Sequence, residues 1–162
     1  MLLDILSPCL IPRTTFTDNG ITVNVRPQKG ESVKFFVIDE KSNPKSTLRK
    51  ALGMHGRICD LVVYYLKEGN REDALCFVEL KGKKIDDALE QILETFEALE
   101  GCSESSGHTK WKAYILIGIA SPIKLDPGSI KILRAKFGDK DIGWRITKKN
   151  DKDDLGSFLR GT

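Results

Sequence analysis

The chain is poor in metal-binding side chains of the softer kind. It has two histidines, His55 and His108, and four cysteines, none of them in a C-x-x-C pair. That excludes the common structural zinc spacings. Cys59 and Cys76 lie inside apolar runs and read as small buried hydrophobes, so the pattern suits a reducing cytoplasm. No apolar run approaches the length of a membrane span. The opening MLLDILSPCLIPR is apolar but contains Asp4 and lacks a basic leader, which reads poorly as a signal peptide. A cytoplasmic protein with no membrane partner is expected. Strong charge of one sign is also lacking. The balance of 26 basic to 23 acidic residues leaves +3, too little to announce a nucleic-acid partner without local clustering. Repeats and low-complexity tracts are absent. What is present is an ordinary globular mixture, 40% hydrophobic and 30% charged over 162 residues, enough for one domain with a sizeable core.

Local patterns suggest the elements. Asp18-Asn19-Gly20 is a turn signal before ITVNV (21–25), and a second turn at 28–30 precedes VKFFVI (33–38). A hairpin between those two strands is expected. Ser46 is placed to cap a short helix, TLRKALGM. ICDLVVYYL (58–66) and ALCFVELK (74–81) flank a polar loop centred on Gly69-Asn70 and read as a hairpin. IDDALEQILETFEALE (85–100) carries apolar residues at helical spacing. AYILIGIA (113–120) is a continuous apolar run, as in a parallel strand covered on both faces. Asp126-Pro127 opens a helix to about 137, and IGWRIT (142–147) is a last strand. Trp111 and Trp144 are expected to pack inside. The expected fold is α/β, a mixed central sheet flanked by helices, in a single domain. Residues 1–30 would be an N-terminal appendage or hairpin, 45–120 the core, and 148–162 a polar, frayed tail.

Strand periodicity singles out one end of this hairpin. In ALCFVELK, Leu75, Phe77, Glu79 and Lys81 share a face, so two charges end an otherwise apolar row. Folding about Gly69-Asn70 brings Asp60 opposite 79–80. Two carboxylates and an ammonium then meet, an arrangement that favours a divalent cation and a phosphate. Oxygen ligands suit magnesium or manganese.

Asp60 followed by Glu79-Leu80-Lys81 resembles the PD-(D/E)XK nuclease superfamily, over roughly residues 45–120. The resemblance implies a restriction-endonuclease-like core and metal-dependent hydrolysis of phosphodiester bonds in nucleic acid, with DNA favoured over RNA. It implies Mg2+ or Mn2+ held by Asp60, Glu79 and the Leu80 carbonyl, with Lys81 acting on the attacking water or the phosphate. Members often carry a polar residue on the following helix. Gln91 fits that place and would orient Lys81 or a metal-bound water. Two features depart from the family: residue 95 is threonine where one subgroup has tyrosine, and TLRKALGM has no glutamate.

A second [Asp/Glu]-x-Lys triplet, Asp39-Glu40-Lys41, competes, with Asp18 upstream. It ranks lower because Asp18 is in a turn signal and no amphipathic helix follows directly. Glu40 and His55 remain open as further members of the site. Arg57, Lys83 and Lys84 flank it as candidate phosphate contacts. Lys131, Arg134, Lys136, Arg145, Lys148 and Lys149 cluster late in the chain, as a backbone-binding rim or a solvated face. Specificity would come from substrate structure, a homodimer or a partner protein. The rival expectation is a catalytically inactive module of the same fold that binds nucleic acid or a protein.

Overall fold

In the computed structural model, residues 2–39, 47–81, 85–102, 108–118, 126–147 and 152–162 are described. Asn19 (φ 52°) and Gly20 (φ 73°) both adopt the left-handed region that a two-residue hairpin turn demands. They join β2 (Thr15–Asp18) to β3 (Ile21–Asn24), with Asp18 opposite Ile21. The hairpin expected between 21–25 and 33–38 does not form. β4 (Glu31–Val37) pairs instead with the short β1 (Leu10–Ile11) and with β5 (Leu61–Lys67). Nearness in sequence suggested the hairpin, but the chain between the two strands passes from one layer to another.

Two sheets result. The larger has six strands in the order β1-β4-β5-β6-β7-β8, where β6 is Asp73–Lys81, β7 Thr109–Gly118 and β8 Ile142–Thr147. It is mixed: pairs from β1 to β6 are antiparallel, whereas β6, β7 and β8 run parallel. The expected β5–β6 hairpin is present, and β7 is parallel as its apolar run suggested. The smaller sheet is β2-β3-β9, with β9 at Lys152–Asp154.

The large sheet is sandwiched. On one face lie α1 (Leu2–Leu6), α2 (Thr47–Ala51), α3 (Ile85–Glu100) and α4 (Pro127–Phe137). Leu6, Leu48, Ile92, Phe96 and Leu133 from these helices bury against Phe36, Val62, Phe77 and Ile115. Phe77, Phe96, Trp111 and Phe137 form an aromatic knot there; Phe77 and Trp111 stack with centroids 5.7 Å apart. On the other face the small sheet and α5 (Gly156–Arg160) cover Phe35, Val63, Val78 and Leu116 with Ile21, Val23, Leu155 and Leu159. Apolar cover on both faces explains why β5 and β6 read as unbroken apolar runs. Gly118 lets the two sheets meet: a Cβ there would stand 2.5 Å from Ile21 Cγ1.

Three expectations are corrected. Residues 1–30 hold the β2–β3 hairpin but are no appendage, because Leu6 is fully buried and β1 belongs to the main sheet. The tail is not frayed where described, since β9 and α5 bury Asp153, Leu155 and Leu159. Trp144 is 42% exposed on the edge strand rather than packed inside. The cap of α4 is as expected, with Asp126 Oδ2 accepting from Ser129 N at 2.9 Å. No described helix is long and apolar enough to cross a membrane.

Candidate functional site

The β5–β6 ladder stops at Leu61 opposite Val78. One step further, Asp60 stands across from Glu79, just before β5 begins rather than within it. Each acid there satisfies a backbone donor of the other strand. Asp60 N donates to Glu79 Oε2 (2.9 Å), and Leu80 N donates to Asp60 Oδ2 (2.8 Å). The Asp60 carbonyl also accepts from Ile38 N (3.1 Å) and Asp39 N (3.4 Å), which ties this corner to the end of β4.

Both acids are out of solvent, Asp60 at 4% exposure and Glu79 at 0%. Lys81 Nζ lies 2.8 Å from Glu79 Oε1, with its side chain 23% exposed. Oε1 has this cation at ion-pair distance but no well-aligned hydrogen-bond donor. Burial, and next the charge of Asp60, push the Glu79 carboxyl up to about 8, against the pull of Lys81. Asp60, Glu79 and Lys81 thus form one cluster, at the carboxyl ends of the parallel strands β6 and β7. In open α/β sheets that end commonly holds the ligand crevice.

The other sequence candidates are distributed as follows. Gln91 is buried on α3, and its Nε2 donates to the Ile58 carbonyl at 2.9 Å. Its amide nitrogen therefore serves the backbone two residues before Asp60 instead of Lys81. The Arg57 guanidinium pairs with Asp87 (2.6 Å) and Glu90 (3.1 Å) of α3, and its backbone N donates to Glu94 Oε2 at 2.8 Å. A phosphate at Arg57 would have to compete with those acids. His55 is exposed in the connection before β5. Lys83, Lys84, Glu40, Lys41, Lys148 and Lys149 lie outside the described residues. Of the competing triplet, Asp39 pairs with Arg49 at 3.3 Å, while Asp18 sits at the β2–β3 turn in the other sheet.

The late basic residues that are described, Lys131, Arg134, Lys136 and Arg145, are all exposed, and three of them have an acidic partner. Arg134 pairs with Asp139, Lys136 with Glu97, and Arg145 with Asp153. Thr95, which the sequence sets on the same flank of α3 as Gln91 without giving it a role, is fully buried and accepts from Cys59 N at 2.9 Å. Its spacing of four from Gln91 was the available signal. Among the described residues, no group of three or more His, Cys, Asp or Glu side chains gathers as a metal cluster. The acid pair is joined instead by Lys81.

Neither a family model, a curated protein nor a solved structure matches the chain. The functional reading therefore rests on the residues of this corner.

Proposed function

We propose that the chain is a metal-dependent nuclease with a restriction-endonuclease-like core, which hydrolyses phosphodiester bonds in DNA. The observation that carries the reading is the buried acid pair Asp60 and Glu79 with the partly exposed Lys81 against it, where β5 begins and β6 ends. Folding such a group away from water is costly. A hydrophobic trio would hold the same strands together more cheaply, so a chemical role accounts for the charges better than a structural one.

The oxygen-only set of Asp60, Glu79 and the Leu80 carbonyl fits a hard divalent cation, magnesium or manganese. Burial first, and then the charge of Asp60, raise the proton affinity of Glu79, and a bound cation would oppose that rise. When bound, the ion would supply Lewis-acid polarisation of a phosphate oxygen. The remaining roles fall to the chain's own groups. Asp60 and Glu79 are held rigid because each is also a backbone cap for the neighbouring strand. Lys81, anchored on Glu79 but partly open to solvent, would hold the attacking water or neutralise charge on the phosphate.

The test is incubation of plasmid, single-stranded and branched DNA with Mg2+ or Mn2+, beside Lys81→Ala. Metal-dependent cleavage by the native chain and its loss in the variant are expected. Equal cleavage by both proteins removes the site. Binding without cleavage by either points to an inactive module of the same fold.

A further inference from the structure

We infer that Thr95 is a positioning residue: its hydroxyl, held by the backbone of α3, fixes the height of Asp60 against Glu79. The inference deepens the nuclease reading and, for its effect on cation binding, rests on it.

Cys59 N donates to Thr95 Oγ1 at 2.9 Å, and the next amide, Asp60 N, donates to Glu79 Oε2 at 2.9 Å. Helix α3 and strand β6 thus grip adjacent peptide units. The Thr95 hydroxyl is not free to turn, because it donates to the Gln91 carbonyl one helical turn earlier, at 2.6 Å. Gln91 in turn holds the Ile58 carbonyl. Residues 57, 58 and 59 are therefore laced to α3 in order, through Glu94, Gln91 and Thr95.

This lacing replaces a ladder. The stretch 57–60 precedes β5, so its first amides have no strand partner in the β5–β6 pairing. Buried donors must be satisfied, and Thr95 does so for the last one before the acid. Without the hydroxyl, Cys59 N is orphaned in a dry site. The segment then relaxes towards other partners, and Asp60, one peptide unit away, moves with it. Errors of a fraction of an ångström at such a site lower cation affinity and rate together. Thr95 touches neither carboxylate in this scheme; it acts through the backbone.

The experiment compares the native chain with Thr95→Val, which keeps the shape and loses the hydroxyl, and Thr95→Ser, which keeps the hydroxyl. Amide hydrogen exchange is read by NMR in metal-free protein, and Mn2+ affinity by titration. An orphaned buried donor costs enough to speed local opening by about tenfold or more. Thr95→Val should therefore exchange Cys59 and Asp60 amides at least about tenfold faster while amides of β7 stay protected, and its Mn2+ affinity should fall by a similar factor. Thr95→Ser should restore both. Unchanged Asp60 exchange in Thr95→Val, or failure of Thr95→Ser to restore it, overturns the assignment. Should Thr95→Val not fold, native protein still decides: a Cys59 amide that exchanges much faster than that of Val62 also overturns it. If the native chain neither binds Mn2+ nor cleaves DNA, the nuclease reading falls, while the exchange at Asp60 still settles what Thr95 does.

Discussion

At the scale of single residues, Glu79 is the most informative atom group in the molecule. A carboxyl raised to about 8 binds a proton in the folded state that it releases near 4.5 when unfolded. Its contribution to stability is thus complete below pH 4.5 and is lost as pH rises towards 8. Metal-free protein should melt at lower temperature at pH 8 than at pH 5, and Glu79→Gln should flatten that part of the profile. Added Mg2+ should raise the melting temperature at pH 8 more than at pH 5, since the cation competes with the proton. A melting profile that is flat between pH 5 and 8 in chelator would remove the raised acid. Lys81 carries the second prediction at this scale. Lys81→Ala should lower kcat by about 100-fold or more, as expected for removing a charge that acts on the transition state. Mn2+ binding should survive that change, because the acids remain.

At the scale of elements, α3 does two jobs. Its apolar stripe packs on the sheet through Ala88, Ile92, Phe96 and Leu99, and its flank holds the 57–59 segment. The stripe was legible from spacing alone. The flank was legible only in part: Gln91 stood out beside the stripe, but the hold of Gln91, Glu94 and Thr95 on residues 57–59 depends on backbone partners far away in sequence. The aromatic knot under α3 and α4 supplies a stability prediction. Phe77 is fully buried and touches Phe96, Trp111 and Phe137, so Phe77→Ala should cost about 3–5 kcal/mol in denaturant unfolding. A cost below about 1 kcal/mol would mean that the knot is not packed as described. The β5–β6 hairpin was legible for a physical reason as well: two apolar strands of matched length flank one polar loop, which leaves few registers that bury both.

At the scale of the whole molecule, the carboxyl-terminal stretch closes the second core. Arg160 donates to both oxygens of Glu31, at 2.8 and 2.9 Å, and Tyr65 OH and Gln28 N donate to the same carboxylate. The Arg160 bond first, with the amide and phenol donors helping against burial, brings Glu31 down to about 2. Stability from this clasp is present above pH 4.5 and lost as pH falls towards 2, the opposite sign to Glu79. Deleting residues 152–162 should expose Ile21, Val23, Phe35 and Val63, and so raise dye binding and aggregation. A truncated chain with native melting behaviour would show the tail to be dispensable. None of this was read from the sequence, where 148–162 is mostly polar. Two leucines, Leu155 and Leu159, are too few to reveal a helix by periodicity, yet four apart, just before α5 and within it, they enter the same core.

The sequence by itself determined the β5–β6 hairpin, helix α3, the parallel strand β7, the capped α4, and the meeting of Asp60 with Glu79 and Lys81. These are short-range facts, set by periods of two and 3.6 and by turns a few residues long. Only the tertiary structure decided that β3 leaves β4 for β9, that both ends of the chain join the cores, and that α3 reaches back to the segment before Asp60. Such pairings join residues far apart in sequence, and their choice depends on which apolar faces remain uncovered after the local elements form. It decided also the state of the site. A carboxylate beside a lysine reads the same on paper whether exposed or dry, and it is burial, with the charge of Asp60 second, that pushes the Glu79 carboxyl up.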